Sequence, residues 1–439
     1  MKLNLKRDSY GKISLIAASI LIWMLFLLLL RTLGYHETWG IWKVPSWLPP
    51  FLDFRLIPGS AESFAHGYEP SVENPYDPTE RHFNYPAFWR LFFYTGITQA
   101  DTVWISVTMI VLFFISVFLF PEKLSIRGAI AMLLVLFSPA SMLLYERGNV
   151  DLIVFVLCVL IVLAAGRSAS MTALLLVLGA VVKMFPFFGM TVLWKEPKNR
   201  FLLILTVCTV VFGMYLAATW GSVAGAWNLT MRGDGLSYGT NVFVTRYEEA
   251  ISSSLTQWLT PHQTDLLLSY GPLAAGLGLF LLVAVVVRMY TSEPPQTASN
   301  RNLAAFRMGA SIYVGTFLLG NNFDYRLAFL VLVMPQLVEW ARDANSFFRR
   351  LAWLTLVLVY LSCWHLWMVE IPLEAVFGSA ADSMKFWIIL DEAFNWLLYM
   401  VLGYLLFASA PVWVKELLDT LFPKKGTPST HEQHRLPLS

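Results

Sequence analysis

Eleven apolar stretches recur along the chain, at about 13–33, 101–120, 128–144, 150–166, 170–194, 200–220, 264–290, 304–320, 326–341, 349–369 and 386–409. Most approach the roughly twenty residues that a helix needs to cross a hydrocarbon core of ~30 Å. They predict an all-α polytopic membrane protein. The stretch 170–194 is the ambiguous one. As a single helix it would carry Lys195, Lys198 and Arg200 to the outer side, against the bias that keeps Lys and Arg in cytoplasmic loops. A short hairpin broken at Lys183–Pro186 returns them to the cytoplasm, and proline supplies the break by removing a donor and disfavouring helix at the residue before it.

With that hairpin the charges sort by side. The cytoplasmic loops hold Lys123 and Arg127, Arg167, Lys195, Lys198 and Arg200, then Arg288, Arg301 and Arg307, then Arg342, Arg349 and Arg350, and last Lys415, Lys424 and Lys425. The outer loops hold Glu62, Glu69, Glu73, Asp77 and Glu80, and later Glu370, Glu374 and Asp382. The expectation is a single bundle of about 11–12 membrane segments over 13–422, with both termini cytoplasmic. Residues 1–12 form a basic cytoplasmic N-terminus, and 423–439 a polar tail expected to be disordered. Arg31–His36 offers no small-residue cleavage site, so the first helix is read as uncleaved. Two outer loops, about 34–100 and 221–263, mix Gly, Pro, Trp and Tyr with charge, a composition suited to short amphipathic helices at the interface.

Composition narrows the class further. The 439 residues are 57% hydrophobic and only 14% charged, against about a quarter charged in soluble domains. The net charge of +2 is dispersed, so no basic face offers itself to nucleic acid. Cys158, Cys208 and Cys363 all lie in apolar stretches and read as packing residues. No phosphate-binding glycine loop, nucleophile elbow or zinc-protease helix motif occurs.

Five polar clusters fall on the same predicted side: Asp53–Arg55; Asn74–Asp77 with Tyr76 and Arg81; Glu146–Arg147–Gly148–Asn149–Asp151; Lys183; and Asn321–Asn322–Asp324–Arg326. An ionisable group at the bilayer centre costs about 2.5–3.5 kcal/mol, so such groups usually face protein or a water-filled cavity. Each cluster has a structural and a functional reading. Gly148, Asn149 and Asp151 suit a helix junction, with Asn149 as cap; alternatively Arg147 faces an anionic ligand that Glu146 and Asp151 orient. Lys183 is a snorkelling anchor or a cation for a phosphate. Asp324 and Arg326 form a loop ion pair, or Arg326 meets a phosphate or sugar with its planar fork. Asp53 is a solvated acid, a partner of Arg55, or the base of a reaction. Asp391 and Glu392 line the same cavity or lie on an interfacial turn. His36, His66, His82 and His365 show no metal-ligand spacing.

These residues carry a resemblance. An early Asp in the first outer loop (Asp53), then Gly67–Pro70, Asn74–Tyr76 and Tyr85–Ala87, is similar to the membrane-integral C-type glycosyltransferases. ERGNVD at 146–151, K-x-x-P at 183–186 and D-Y-R at 324–326 resemble glycosyltransferase family 87, whose members are similar to polyprenol-phosphate-mannose-dependent mannosyltransferases. The resemblance runs from about 13 to 340, and ERGN-x-D is its most specific piece. It implies a bundle of the C-type, a polyprenyl-phosphate sugar donor, a glycan or glycolipid acceptor of the cell envelope, and inverting transfer on the outer face of a bacterial or archaeal cell membrane. It implies Asp53 as the acid that takes the acceptor proton or orients its hydroxyl, and Lys183 and Arg326 as holders of the donor phosphate. Phe54 stands where an acidic pair would continue, so no metal is expected, and no cofactor beyond the lipid-linked donor. Trp39, Trp42, Trp47, Tyr68 and Tyr76 suit sugar stacking and an interfacial aromatic belt equally. The rival classes are a transporter or lipid flippase, which would place polar groups on both sides of the bilayer, and a scaffold that binds polyprenyl lipid and would tolerate loss of Asp53.

Overall fold

The computed structural model describes residues 2–229, 235–290, 297 and 299–421; the tail expected at 423–439 lies outside the described residues. All eleven apolar stretches are helical. Among the described residues, six helices are long and apolar enough to cross a membrane: Tyr10–Leu33, Gln99–Leu119, Lys198–Ala218, Pro261–Tyr290, Ser346–Cys363 and Ala380–Ala408. A seventh span is possible by length where Ile126–Leu136 and Pro139–Arg147 meet at a 55° bend. That bend has a local cause. Ser138 accepts from the N–H of Ser141 and Pro139 opens the second helix, so one helix stops and another is capped at the same place.

The hydrophobic surface is turned outward. Leu21, Leu203 and Leu282 are 67%, 64% and 55% exposed on three of the long helices, which have only 17% of their apolar windows buried. Apolar surface on this scale is stable only against lipid or another protein, and together with the span lengths it makes this an integral membrane protein.

The interior is built from shorter pieces. Helix Asn300–Leu318 runs through the middle with Ala305, Phe306, Met308 and Phe317 fully buried. Helices Asp151–Ala165 and Ala169–Val182 and the 310 segment Phe185–Lys195 pack beside it. The expected hairpin is present: the chain leaves the helix at Lys183, whose backbone is extended, and Pro186 starts the 310 return. At 1.5 Å per residue the two helices rise only about 21 Å. Asp151 is buried at the start of the first and Lys183 is only 13% exposed at the end of the second, while Gly166, Arg167 and Ser168 in the turn between them are exposed.

The first long loop is more ordered than its composition suggests. Asp53 is not in a loop but in the first turn of helix Leu52–Ala65, which is mostly buried. A 310 segment, Ala87–Tyr94, follows before the next long helix. In the second long loop, Ser237–Tyr238 pairs antiparallel with Asn322–Phe323, ahead of short helices Val242–Arg246 and Glu248–Leu255. Trp39 and Trp42 pack against Phe26, and Trp42 donates to the carbonyl of Phe137; these two rings serve the core.

Candidate functional site

One cavity of about 320 Å³ gathers residues from all five sequence clusters. Asp53, Arg81, Asn149, Lys183, Asn322 and Arg326 line its polar side. Val181, Leu216, Val223 and Ala226 line its apolar side.

Asn149 is the hinge of the arrangement. Its Oδ1 accepts from the N–H of Asp151, capping the next helix, so the structural reading of this residue holds. Its Nδ2 donates to Asp53 Oδ2 at 2.7 Å and to the Tyr325 hydroxyl at 3.2 Å. Its Oδ1 also lies 3.4 Å from Lys183 Nζ. One amide thus caps a helix and spaces a carboxylate from an ammonium. Gly148 makes the placement possible. Its φ is +57°, and a Cβ there would lie 2.9 Å from both Phe51 Cβ and Ser106 Oγ, so the loop can close against Phe51 only without a side chain.

Asp151 forms the floor. It is fully buried; Lys183 bonds to one of its oxygens and Arg326 Nε lies 3.2 Å from the other. Arg326 also bonds to Asn322 and stacks 5.3 Å over the Phe185 ring. One carboxylate cannot neutralise two cations, so this wall keeps an excess positive charge in a poorly screened place. The loop ion pair expected between Asp324 and Arg326 is not formed: both residues lie at the start of the 310 segment Asp324–Val333, and each has another partner. Arg326 and Asp324 diverge and do not pair with each other.

Asp53 faces that wall. Its side chain is 22% exposed, and Arg81 Nη1 is 3.8 Å from its Oδ1. Arg81 is itself fixed by Asp77, through Nη2–Oδ1 at 2.9 Å and Nε–Oδ2 at 3.2 Å. Burial works against the charge of Arg81, but the bidentate Asp77 carboxylate, with Asp53 nearby, raises its pKa above the ordinary arginine value. The N-P-Y-D segment supports this from behind: Asn74 accepts from Ser63 at 2.7 Å and donates to the carbonyl of Arg81 at 2.7 Å. The carboxylate of Asp53 is therefore held by Asn149 and Arg81 yet open to the cavity, a geometry in which it can accept a proton.

Other candidates lie elsewhere. Arg55 is not the partner of Asp53; it donates to the Pro50 carbonyl at 2.8 Å and to Gln99 at 2.9 Å. Tyr76 is turned away and stacks on His66 with centroids 4.5 Å apart. Glu146 is buried, accepting from the Trp47 N–H at 2.8 Å and the Tyr35 hydroxyl at 3.1 Å. Arg147 Nη1 sits 3.0 Å from Glu146 Oε2, within ion-pair distance but outside hydrogen-bond geometry. Neither lines the cavity. Asp324 is buried on the far side of its turn, 3.3 Å from His365, in the neighbourhood of Asp391 and Glu392. Those two acids lie within helix Ala380–Ala408 and not on the cavity. Both ring nitrogens of His365 face oxygen, Nδ1 toward the Ser362 carbonyl at 3.0 Å and Nε2 toward Asp324, which suits the doubly protonated ring. Among the described residues, no group of three or more His, Cys, Asp or Glu is arranged to hold a metal ion.

Three further lining residues were given no role from the sequence. Tyr325 stands between two charged neighbours that drew attention away from it, although its hydroxyl bonds Asn149. Tyr215 and Leu216 sit in an unbroken apolar helix, and nothing in the sequence around them marks them.

No family model, curated protein or solved structure matches the chain.

Proposed function

We propose that the chain is an inverting glycosyltransferase. It moves a sugar, a hexose such as mannose, from a polyprenyl-phosphate donor to a glycan or glycolipid acceptor on the non-cytoplasmic side of a cell membrane, with both termini in the cytoplasm. The observation that carries this reading is the facing pair in one cavity: a partly open carboxylate, Asp53, across from two cations, Lys183 and Arg326, that share one counterion.

The chemistry divides between those walls. The acceptor oxygen attacks the anomeric carbon, the bond from that carbon to the phosphate oxygen breaks, and polyprenyl phosphate leaves with the electron pair. Asp53 takes the acceptor proton, a role worth roughly 10²–10⁴ in rate. Lys183 and Arg326 meet the charge that grows on the leaving phosphate. An in-line displacement with inversion requires base and leaving group on opposite sides of the sugar, and Asn149, between Asp53 and Lys183, is the group that would keep them apart. The apolar side of the cavity, along Val181, Leu216, Val223 and Ala226, suits the first isoprene units of the donor.

The test is donor consumption by the purified protein in lipid nanodiscs. It is offered polyprenyl-phosphate mannose, glucose, galactofuranose and arabinofuranose with crude membrane lipid as acceptor, followed by mass spectrometry. We expect one donor to be consumed and Asp53→Asn, which keeps the volume and removes the basicity, to fall by at least about 100-fold. Full turnover by Asp53→Asn rejects the base. If every donor is left intact while the protein moves lipid or solute across a liposome membrane, the transporter reading replaces this one.

A further inference from the structure

A second cavity, of about 470 Å³, lies at the opposite end of the same short elements. Helix Asp151–Ala165 begins beside the first cavity and ends at the second, and the 310 segment Phe185–Lys195 does the same. Four cations line the second cavity, Arg167, Lys195, Arg301 and Arg307, against one carboxylate, Glu122. Glu122 already accepts from Ser299 at 2.7 Å. Lys195 is 3.5 Å from Glu196, a carboxylate it shares with Arg200 at 3.0 Å. Among the described residues, no carboxylate pairs with Arg167, Arg301 or Arg307 at ion-pair distance.

Basic residues at the ends of membrane helices ordinarily snorkel into water. Arg307 does not. It stands seven residues into helix Asn300–Leu318, about 10 Å along its axis, and is only 7% exposed. It bonds to the backbone carbonyl of Ser409 and lies 5.6 Å over the Trp194 ring. Hydrogen bonds to a neutral carbonyl leave a buried guanidinium with its charge uncompensated, which is costly. The cavity wall beside it is apolar, formed by Val162, Leu163, Val192 and Leu303. A deep cation, three more at the rim and an apolar wall together describe a socket for an amphiphilic anion. Basic pockets between membrane helices recognise phosphate headgroups in this way.

We propose that this second cavity binds a phosphate group, supplied by the headgroup of an anionic phospholipid whose first methylenes rest on the apolar wall. The shared chemistry admits a second source, a free phosphate anion. The site is separate from the transfer site, and the inference does not rest on the transfer reaction.

The test uses the delipidated full-length protein in detergent, titrated with dioleoylphosphatidylglycerol or dioleoylphosphatidylcholine and read by native mass spectrometry. A parallel arm titrates inorganic phosphate against thermal unfolding. We expect phosphatidylglycerol to bind at least tenfold more tightly than phosphatidylcholine, and the preference to shrink to less than threefold in the double variant Arg167→Gln/Arg301→Gln and in Arg307→Gln. Arg307→Gln removes a buried group and can fail to fold; the double variant, at the rim, keeps the test decisive. Stabilisation by inorganic phosphate that the double variant loses, with no preference between the lipids, upholds the phosphate site and assigns it a soluble ligand. Equal binding of the two lipids with no response to phosphate overturns the proposal, as does an undiminished preference in the double variant.

Discussion

Asn149 shows how one side chain serves structure and site together. Capping and catalysis are usually weighed as alternatives for such a residue, and here the amide has enough donors and acceptors for both. Lys183 and Arg326 share the same economy, because each is tied to Asp151 before any ligand arrives. Removing one cation leaves Asp151 with the other, so Lys183→Ala and Arg326→Ala should each fold. A charge-assisted hydrogen bond contributes about 1.5–3 kcal/mol, which is roughly 10- to 100-fold in affinity. We expect each variant to weaken binding of the polyprenyl-phosphate donor by that factor in equilibrium titration. Unchanged affinity in both would reject the phosphate role. Arg147 should not behave this way, since its partner is Glu146 and it lies off the cavity.

The hairpin Ala169–Val182 and Phe185–Lys195 carries Lys183 to the cavity, and its position is set by close approach. A Cβ on Gly315 would lie 2.2 Å from the Phe188 ring, and one on Gly189 would lie 2.3 Å from the sulfur of Met308. The returning segment can therefore seat against helix Asn300–Leu318 only because both positions lack a side chain. Gly315→Val should overpack this contact at a cost of about 1–3 kcal/mol. We expect a lower unfolding temperature in detergent and slower donor consumption, with phosphatidylglycerol binding at the other end of the hairpin also weakened. A variant as stable and active as the parent would show that the hairpin is not held by this contact. The hairpin was legible beforehand because two signals agreed, the proline at 186 and the excess of Lys and Arg after 194. The helix Leu52–Ala65 was not, because the stretch 34–100 mixes Gly, Pro and charge with no apolar run, and Pro58 lies inside the helix.

At the scale of the molecule, among the described residues, six long helices carry exposed apolar side chains while short, bent and 310 pieces fill the interior. Helix Asp151–Ala165 and the 310 segment Phe185–Lys195 join the two cavities, which lie at opposite ends of these elements. The orientation proposed from the charge bias can be tested directly. Cys158, Cys208 and Cys363 are all buried, so a triple Ala background should be silent to a membrane-impermeant thiol reagent. Val72 is 69% exposed, and Arg167 is exposed at the far end. In intact cells Val72→Cys should be labelled and Arg167→Cys should react only after permeabilisation. The opposite pattern would invert the topology and move the proposed reaction to the cytoplasmic face.

The positions of the apolar helices, the membrane class and the break at Lys183 all follow from local rules of length, apolar runs and proline, and each was readable along the chain. Partnership was not. Asp53, Asn149, Asp151, Lys183 and Arg326 are marked in the sequence as polar residues in apolar surroundings, but the sequence does not say that Arg326 leaves Asp324 for Asp151, that Arg55 turns to Gln99, or that Tyr76 stacks on His66. Two charges find each other through the packing of distant helices, where angle and depth are set by contacts such as Gly315 with Phe188. The same holds for Arg307, which charge counting places in a cytoplasmic loop and packing carries about 10 Å into a helix. A hydrophobic period records which face of an element is buried; which charged group waits on the facing element depends on how the elements dock.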